Sequence, residues 1–234
     1  MRDYTAIAMA IAAAFALVGL LPLTGRHLIR PLLWVCLVAG IITGPIAREG
    51  TQLAWDGLSL FSGLANSPSG PTLYLLLTAA VGELVKATAP LAVISFTKTD
   101  VAAGIAYGAA AGAGFGFMAT QQVLAMALGL VGSPIITPLS MVIAVVGWFF
   151  PLLAHIATTA YVARAGVHGG LGFAYLFAWF VQFALGVAQK LPVVGGIPGG
   201  LLTTAAIALW LFGYLWVVRA RATAPAAGPS PAGP

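Results

Sequence analysis

Long apolar stretches, each closed by a short polar or Gly/Pro-bearing break, follow one another along nearly the whole chain. Read as runs able to cross roughly 30 Å of hydrocarbon at about 1.5 Å per helical residue, they predict seven spans, near 5–23, 31–47, 72–96, 101–130, 138–163, 171–188 and 200–218. Lipid offers no partner to backbone N–H and C=O groups, so each run is read as a helix that bonds its own. The expected fold is all-α: a polytopic transmembrane bundle forming one domain over residues 1–222, with a disordered Pro-rich tail at 223–234.

Several stretches bend that simple pattern. The first run follows Arg2 like a secretory signal, yet it is longer than a usual h-region and ends in Thr24, Gly25 and Arg26, with no small-residue cleavage site. It is expected to be a retained span. Between the second and third runs lies LAWDGLSLFSGLANSPSGP, too polar and too rich in Gly, Ser and Pro to cross; its first dozen residues are expected to form a short amphipathic helix in the interface. Pro134, Pro138 and Pro151 predict an irregular entry and a kink in the fifth span. In AYGAAAGAGFGF, Gly108, Gly112, Gly114 and Gly116 strip side chains from the fourth helix, so that a neighbour can approach its backbone.

Composition turns this pattern into a class. The chain is 61% hydrophobic and 6% charged, with mean hydropathy +1.03, against about 25% charged for an ordinary soluble domain. It is read as an integral membrane protein. The net charge of +5 comes from Arg and Lys near segment ends, which suits contact with the anionic headgroups of a lipid bilayer. No basic patch interleaved with aromatics exists, so nucleic acid is not expected as a partner. Cys36 is the only cysteine, which excludes an internal disulfide. Arg26, Arg30, Lys98, Arg164, Arg219 and Arg221 fall on one side of the seven-span topology, and Arg2, Arg48 and Lys190 on the other. That excess predicts a cytoplasmic C-terminus.

The polar residues inside the spans are few and concentrated. Glu83 and Lys86, three apart on the third span, share a helix face and can pair. Even paired, each is a group that translocon scales penalise by roughly 3 kcal/mol at a helix centre, so a functional centre is a natural reading. His155 lies in PLLAHIATTAYVAR with Thr158 and Thr159 a turn later, Gln121 and Gln122 lie in the fourth span, and Gln182 in the sixth. Any one of these alone would be an interhelical hydrogen-bonding residue. Together they fall on the third to sixth spans and leave the others nearly bare, which predicts one polar centre holding Glu83, Gln121, His155 and Gln182. Such a centre can hold a proton relay, a small polar substrate or a water activated for hydrolysis.

The order of these motifs resembles the PrsW-like branch of the intramembrane CAAX-protease superfamily. VGELVKATAP is similar to that family's Glu-Glu pair followed three residues later by Lys: Glu83 matches the second glutamate, Lys86 the lysine, and Gly82 stands in place of the first glutamate. GAGFGFMATQQ resembles a GFAxxEN motif through Gly116 and Phe117, with Gln121 and Gln122 where Glu and Asn are expected. In HIATTAYVARAG, His155 matches the motif histidine; Gln182 is the nearest counterpart of a further one. The resemblance covers about residues 72 to 190.

The resemblance implies a multi-pass protein of a bacterial or archaeal plasma membrane whose catalytic centre is degenerate, because the departures fall on ionisable groups. Glycine cannot act as a base, and glutamine cannot take up a proton as glutamate does. On this reading the protein is a pseudoenzyme that binds a membrane protein or peptide. Two alternatives stay open. An active protease would use Glu83 as general base with His155 orienting the water or stabilising the oxyanion; zinc enters only in that case, with His155 as candidate ligand. A small transporter or channel would open and close the Glu83/Lys86 pair. No convincing match joins the two halves of the chain as the repeats of many transporters would.

Overall fold

The computed structural model describes residues 4–62, 67–129, 137–189, 193–194 and 197–224. Eight α-helices are seen among them: α1 (Thr5–Thr24), α2 (Pro31–Ser62), α3 (Gly70–Phe96), α4 (Val101–Gly129), α5 (Pro138–Gly147), α6 (Phe149–His168), α7 (Leu171–Ala188) and α8 (Gly199–Thr223), with a 3-10 turn at Gly25–Ile29 between the first two. With α5 and α6 counted as one span, seven segments are long and apolar enough to cross a membrane. The protein is an all-α, multi-pass membrane protein. A two-residue antiparallel pair, Val193–Val194 with Ile197–Pro198, lies in the α7–α8 connection. Pro134, Arg2, Lys190 and most of the Pro-rich tail fall outside the described residues.

Helix α4 is the axis of the bundle. Its small side chains let α1, α2 and α6 pack directly on its backbone, and Gly104, Gly108, Gly112 and Gly116 repeat every fourth position, one face of a helix. A Cβ on Gly108 would stand 2.5 Å from the Thr159 carbonyl oxygen, and one on Gly112 would stand 2.4 Å from that of His155. Gly114 faces the other way: its Cβ would meet the Leu37 carbonyl of α2 at 2.1 Å. The glycines therefore set the depth at which α6, and His155 with it, seats against the axis.

Two elements depart from expectation. Helix α2 does not stop near residue 47; it runs unbroken to Ser62, so the expected separate interfacial helix is the end of a long one. Nothing between Arg48 and Ser62 forbids helical backbone, and Gln52 Nε2 donates to Asp56 Oδ1 at 2.8 Å across one turn. The fifth span is broken as Pro151 suggests: α5 ends at Gly147, and α6 restarts at Phe149 with Pro151 in its first turn, where no N–H is needed. At the far end of α1, Gly25 adopts φ +50°, where the Arg219 guanidinium packs against it and Nη1 donates 2.8 Å to the Pro22 carbonyl. A side chain at Gly25 would meet both the strain of that φ and the guanidinium.

Large apolar side chains cover the outside. Val35, Val38, Ile42 and Ile46 form an exposed stripe on α2, Phe173, Leu176 and Phe180 another on α7, and Leu209, Trp210 and Trp216 stand out from α8. In water such patches would drive association; here they are the surface in contact with the lipid bilayer.

Candidate polar site within the bundle

Glu83 is the central residue of α3, so the pair it forms with Lys86 lies about as far from either helix end as the sequence permits. Both side chains are 1% exposed, and Lys86 Nζ is ion-paired with Glu83 Oε1. Lys86 reaches further, donating to Thr158 Oγ1 at 3.0 Å and lying 3.2 Å from His155 Nδ1, both on α6. Gln182 of α7 places Nε2 3.3 Å from His155 Nδ1 and 3.3 Å from Thr158 Oγ1. Three helices thus converge on one cluster. Tyr175 and Trp179 tie α7 to α3 through hydrogen bonds of 2.8 and 2.9 Å to the carbonyls of Ala80 and Leu76.

Hydrogen-bond logic fixes the roles. An ammonium and an amide nitrogen are donors only, so His155 Nδ1 accepts and the ring proton sits on Nε2. The Thr158 hydroxyl accepts from Lys86 and Gln182, while its single proton points to Glu83 Oε1 at 3.3 Å or to the His155 carbonyl at 3.4 Å. Gln182 Oε1 bonds no described residue. Glu83 Oε2 has no hydrogen-bond partner, and no described residue bonds His155 Nε2. Phe115 of α4 packs against the cluster, its ring 5.1 Å from the His155 ring and 5.7 Å from Lys86 Nζ.

Glu83, Lys86, His155 and Gln182 line a partly open cavity of about 320 Å³, walled otherwise mainly by apolar groups such as Leu75, Phe115, Trp148 and Leu185, with Thr78, Gln189 and Thr204 among them. A second cavity of about 200 Å³ lies between α2, α3 and α4, and Thr78, Gly82, Phe115 and Ala119 line both.

The sequence-derived site is corrected at Gln121. No polar contact joins Gln121 to the cluster, and it does not line the cavity. The reason is angular: the face of α4 turned to the cavities carries Phe115, Ala119 and Gln122, spaced by four and three, whereas Gln121 follows Phe117 and precedes Leu124 on the side that packs on α1. Gln122 lines the second cavity, not the polar one. The α4 contribution is therefore the ring of Phe115, which sequence reasoning misses because an aromatic in an apolar run carries no signal. His27 is missed too. It is fully buried, with neither ring nitrogen bonded, close to Arg26, Arg30, Arg219 and Asp100 at one end of the bundle.

The donor set does not suit zinc. Glu83 and His155 are the only ionisable ligands in the cluster, fewer than the three protein ligands typical of catalytic zinc, and the Lys86 ammonium touches both. Among the described residues no three His, Cys, Asp or Glu side chains assemble into a metal site elsewhere.

In comparisons with known proteins, no family model, no curated protein and no solved structure matches this chain.

Proposed function

We propose that this protein binds a membrane-embedded peptide segment in the polar cavity without cleaving it, as a degenerate member of the PrsW-like type. The observation that carries the reading is the position of Lys86, whose ammonium contacts both Glu83 and His155. The two groups that would activate water are bridged by a cation. For Glu83 to take up a proton it would give up that ion pair, which low-dielectric surroundings make costly.

The free groups suit a ligand better than a reaction. Gln182 Oε1 offers an acceptor and His155 Nε2 a donor, both on residues lining one cavity whose other walls are largely apolar. A locally unwound peptide in a bilayer presents the matching problem: N–H and C=O groups that find no water. A photoreactive residue placed at Gly186, on the cavity wall, tests this directly. Added transmembrane peptides with a Gly- or Pro-interrupted centre should cross-link there more than uninterrupted polyleucine helices. Equal cross-linking of both would remove the support for peptide binding.

Hydrolysis is the second reading, favoured by the unbonded Glu83 Oε2, which would act as the base once side-chain movement let a water reach it. It differs in requiring turnover that disappears with Glu83→Gln.

A further inference from the structure

The second cavity is bounded by Gly44, Pro45 and Arg48 of α2, by Tyr74, Thr78 and Gly82 of α3, and by Phe115, Met118 and Gln122 of α4. Its walls are largely apolar, and Arg48 is exposed and has no ion-pair partner among the described residues. Gly50 faces Val81 and the Trp55 ring packs against Tyr74 across the α2–α3 contact, so Arg48 lies level with Gly82, at the mouth of an apolar recess. Along α3, Glu83 follows Thr78 by five residues, about 7.5 Å further into the bilayer.

Gly82 marks where the two cavities adjoin. In mid-helix a glycine costs about 1 kcal/mol relative to alanine, and packing does not demand it here: a Cβ would find only Phe115 Cζ, at an ordinary 3.7 Å. This contrasts with Gly108 and Gly112, where backbone stands in the way. What the missing side chain at Gly82 provides is open space between the recess and the polar site.

We infer that the α2–α3–α4 cavity binds a single acyl chain carrying an anionic head, with the carboxylate or phosphate on Arg48 and the chain passing Gly82 toward the polar site. The walls match an acyl chain, and the exposed, unpaired guanidinium at the cavity edge matches its head. The site stands on these residues alone and holds whether or not the polar cavity binds a peptide.

Three diazirine-tailed probes of equal chain length separate the outcomes: a fatty acid, a lysophosphatidate and an uncharged monoacylglycerol, each at the same mole fraction in phosphatidylcholine nanodiscs holding the full chain. The anionic probes should label Met118 and its neighbours on α4 about fivefold more than the neutral one, the factor expected of one basic residue at the anionic head. Arg48→Gln should abolish that difference and Arg48→Lys retain most of it. Gly82→Leu should spare labelling at Met118 but remove labelling at Leu185 and Gly186 beyond the junction. Labelling by one anionic probe alone supports the site and names its head. Equal labelling by charged and neutral probes, labelling confined to lipid-facing residues such as Val38 and Ile42, or no effect of Arg48→Gln would overturn it.

Discussion

Lys86 Nζ lies 3.2 Å from His155 Nδ1, across the contact between α3 and α6, while it holds the Glu83 carboxylate one turn earlier on its own helix. One ammonium thus joins a carboxylate and an imidazole that sequence places 72 residues apart. Removing it affects both.

The pair should behave as a unit. Glu83→Gln leaves a buried ammonium uncompensated and Lys86→Met a buried carboxylate, each costing about 3–5 kcal/mol, whereas the double change should cost much less because no lone charge remains. Thermal unfolding of the three variants in one detergent measures this. Additive losses in the double variant would contradict mutual compensation.

The glycines of α4 should divide by what faces them. Gly112→Ala drives a Cβ to within 2.4 Å of the His155 carbonyl oxygen and must push α6 away, so a loss of several kcal/mol or failure to fold is expected. Gly82→Ala meets nothing nearer than 3.7 Å and should be neutral or stabilising by up to about 1 kcal/mol. Expression yield and melting temperature in parallel distinguish them.

The two glutamine positions should also separate. Gln182→Leu removes donors to His155 and Thr158 and should cost about 1–2 kcal/mol, taken as two interhelical hydrogen bonds. Gln121→Leu makes no change in the cluster and should leave the His155 ring resonances where they are. Nitrogen NMR of labelled histidine reads the difference, since only the Gln182 change alters what Nδ1 accepts.

These contrasts show which features were legible in the sequence. Span positions were, because a bilayer forces length and hydropathy to agree, and the Glu83–Lys86 pairing followed from three-residue spacing alone. The meeting of that pair with His155 and Gln182 could be anticipated from their restriction to neighbouring spans. The error at Gln121 arose because depth along a helix is readable from sequence, but direction around α4 is not: its small residues are buried almost all round and give no amphipathic phase. The length of α2 is not legible in hydropathy, because polarity ends a span without ending a helix.

Orientation follows from the charge asymmetry. Arg26, Arg30 and Arg219 gather about His27 at one bundle end, and the excess of basic residues there predicts that this end and the C-terminus are cytoplasmic. A reporter fused after Thr223 should be active only if it needs the cytoplasm; activity of a reporter that needs export would reverse the assignment.

Cleavage is the measurement closest to the central claim. The purified wild-type chain and Glu83→Gln are incubated in nanodiscs with transmembrane peptides that cross-link at the cavity, and products are followed by mass spectrometry. A general base contributes typically 10²–10⁴-fold to rate, so a working centre would separate the two proteins by at least about a hundredfold. The account predicts cross-linking with no cleavage that depends on Glu83. Wild-type cleavage abolished by Glu83→Gln would contradict it and make the protein a protease.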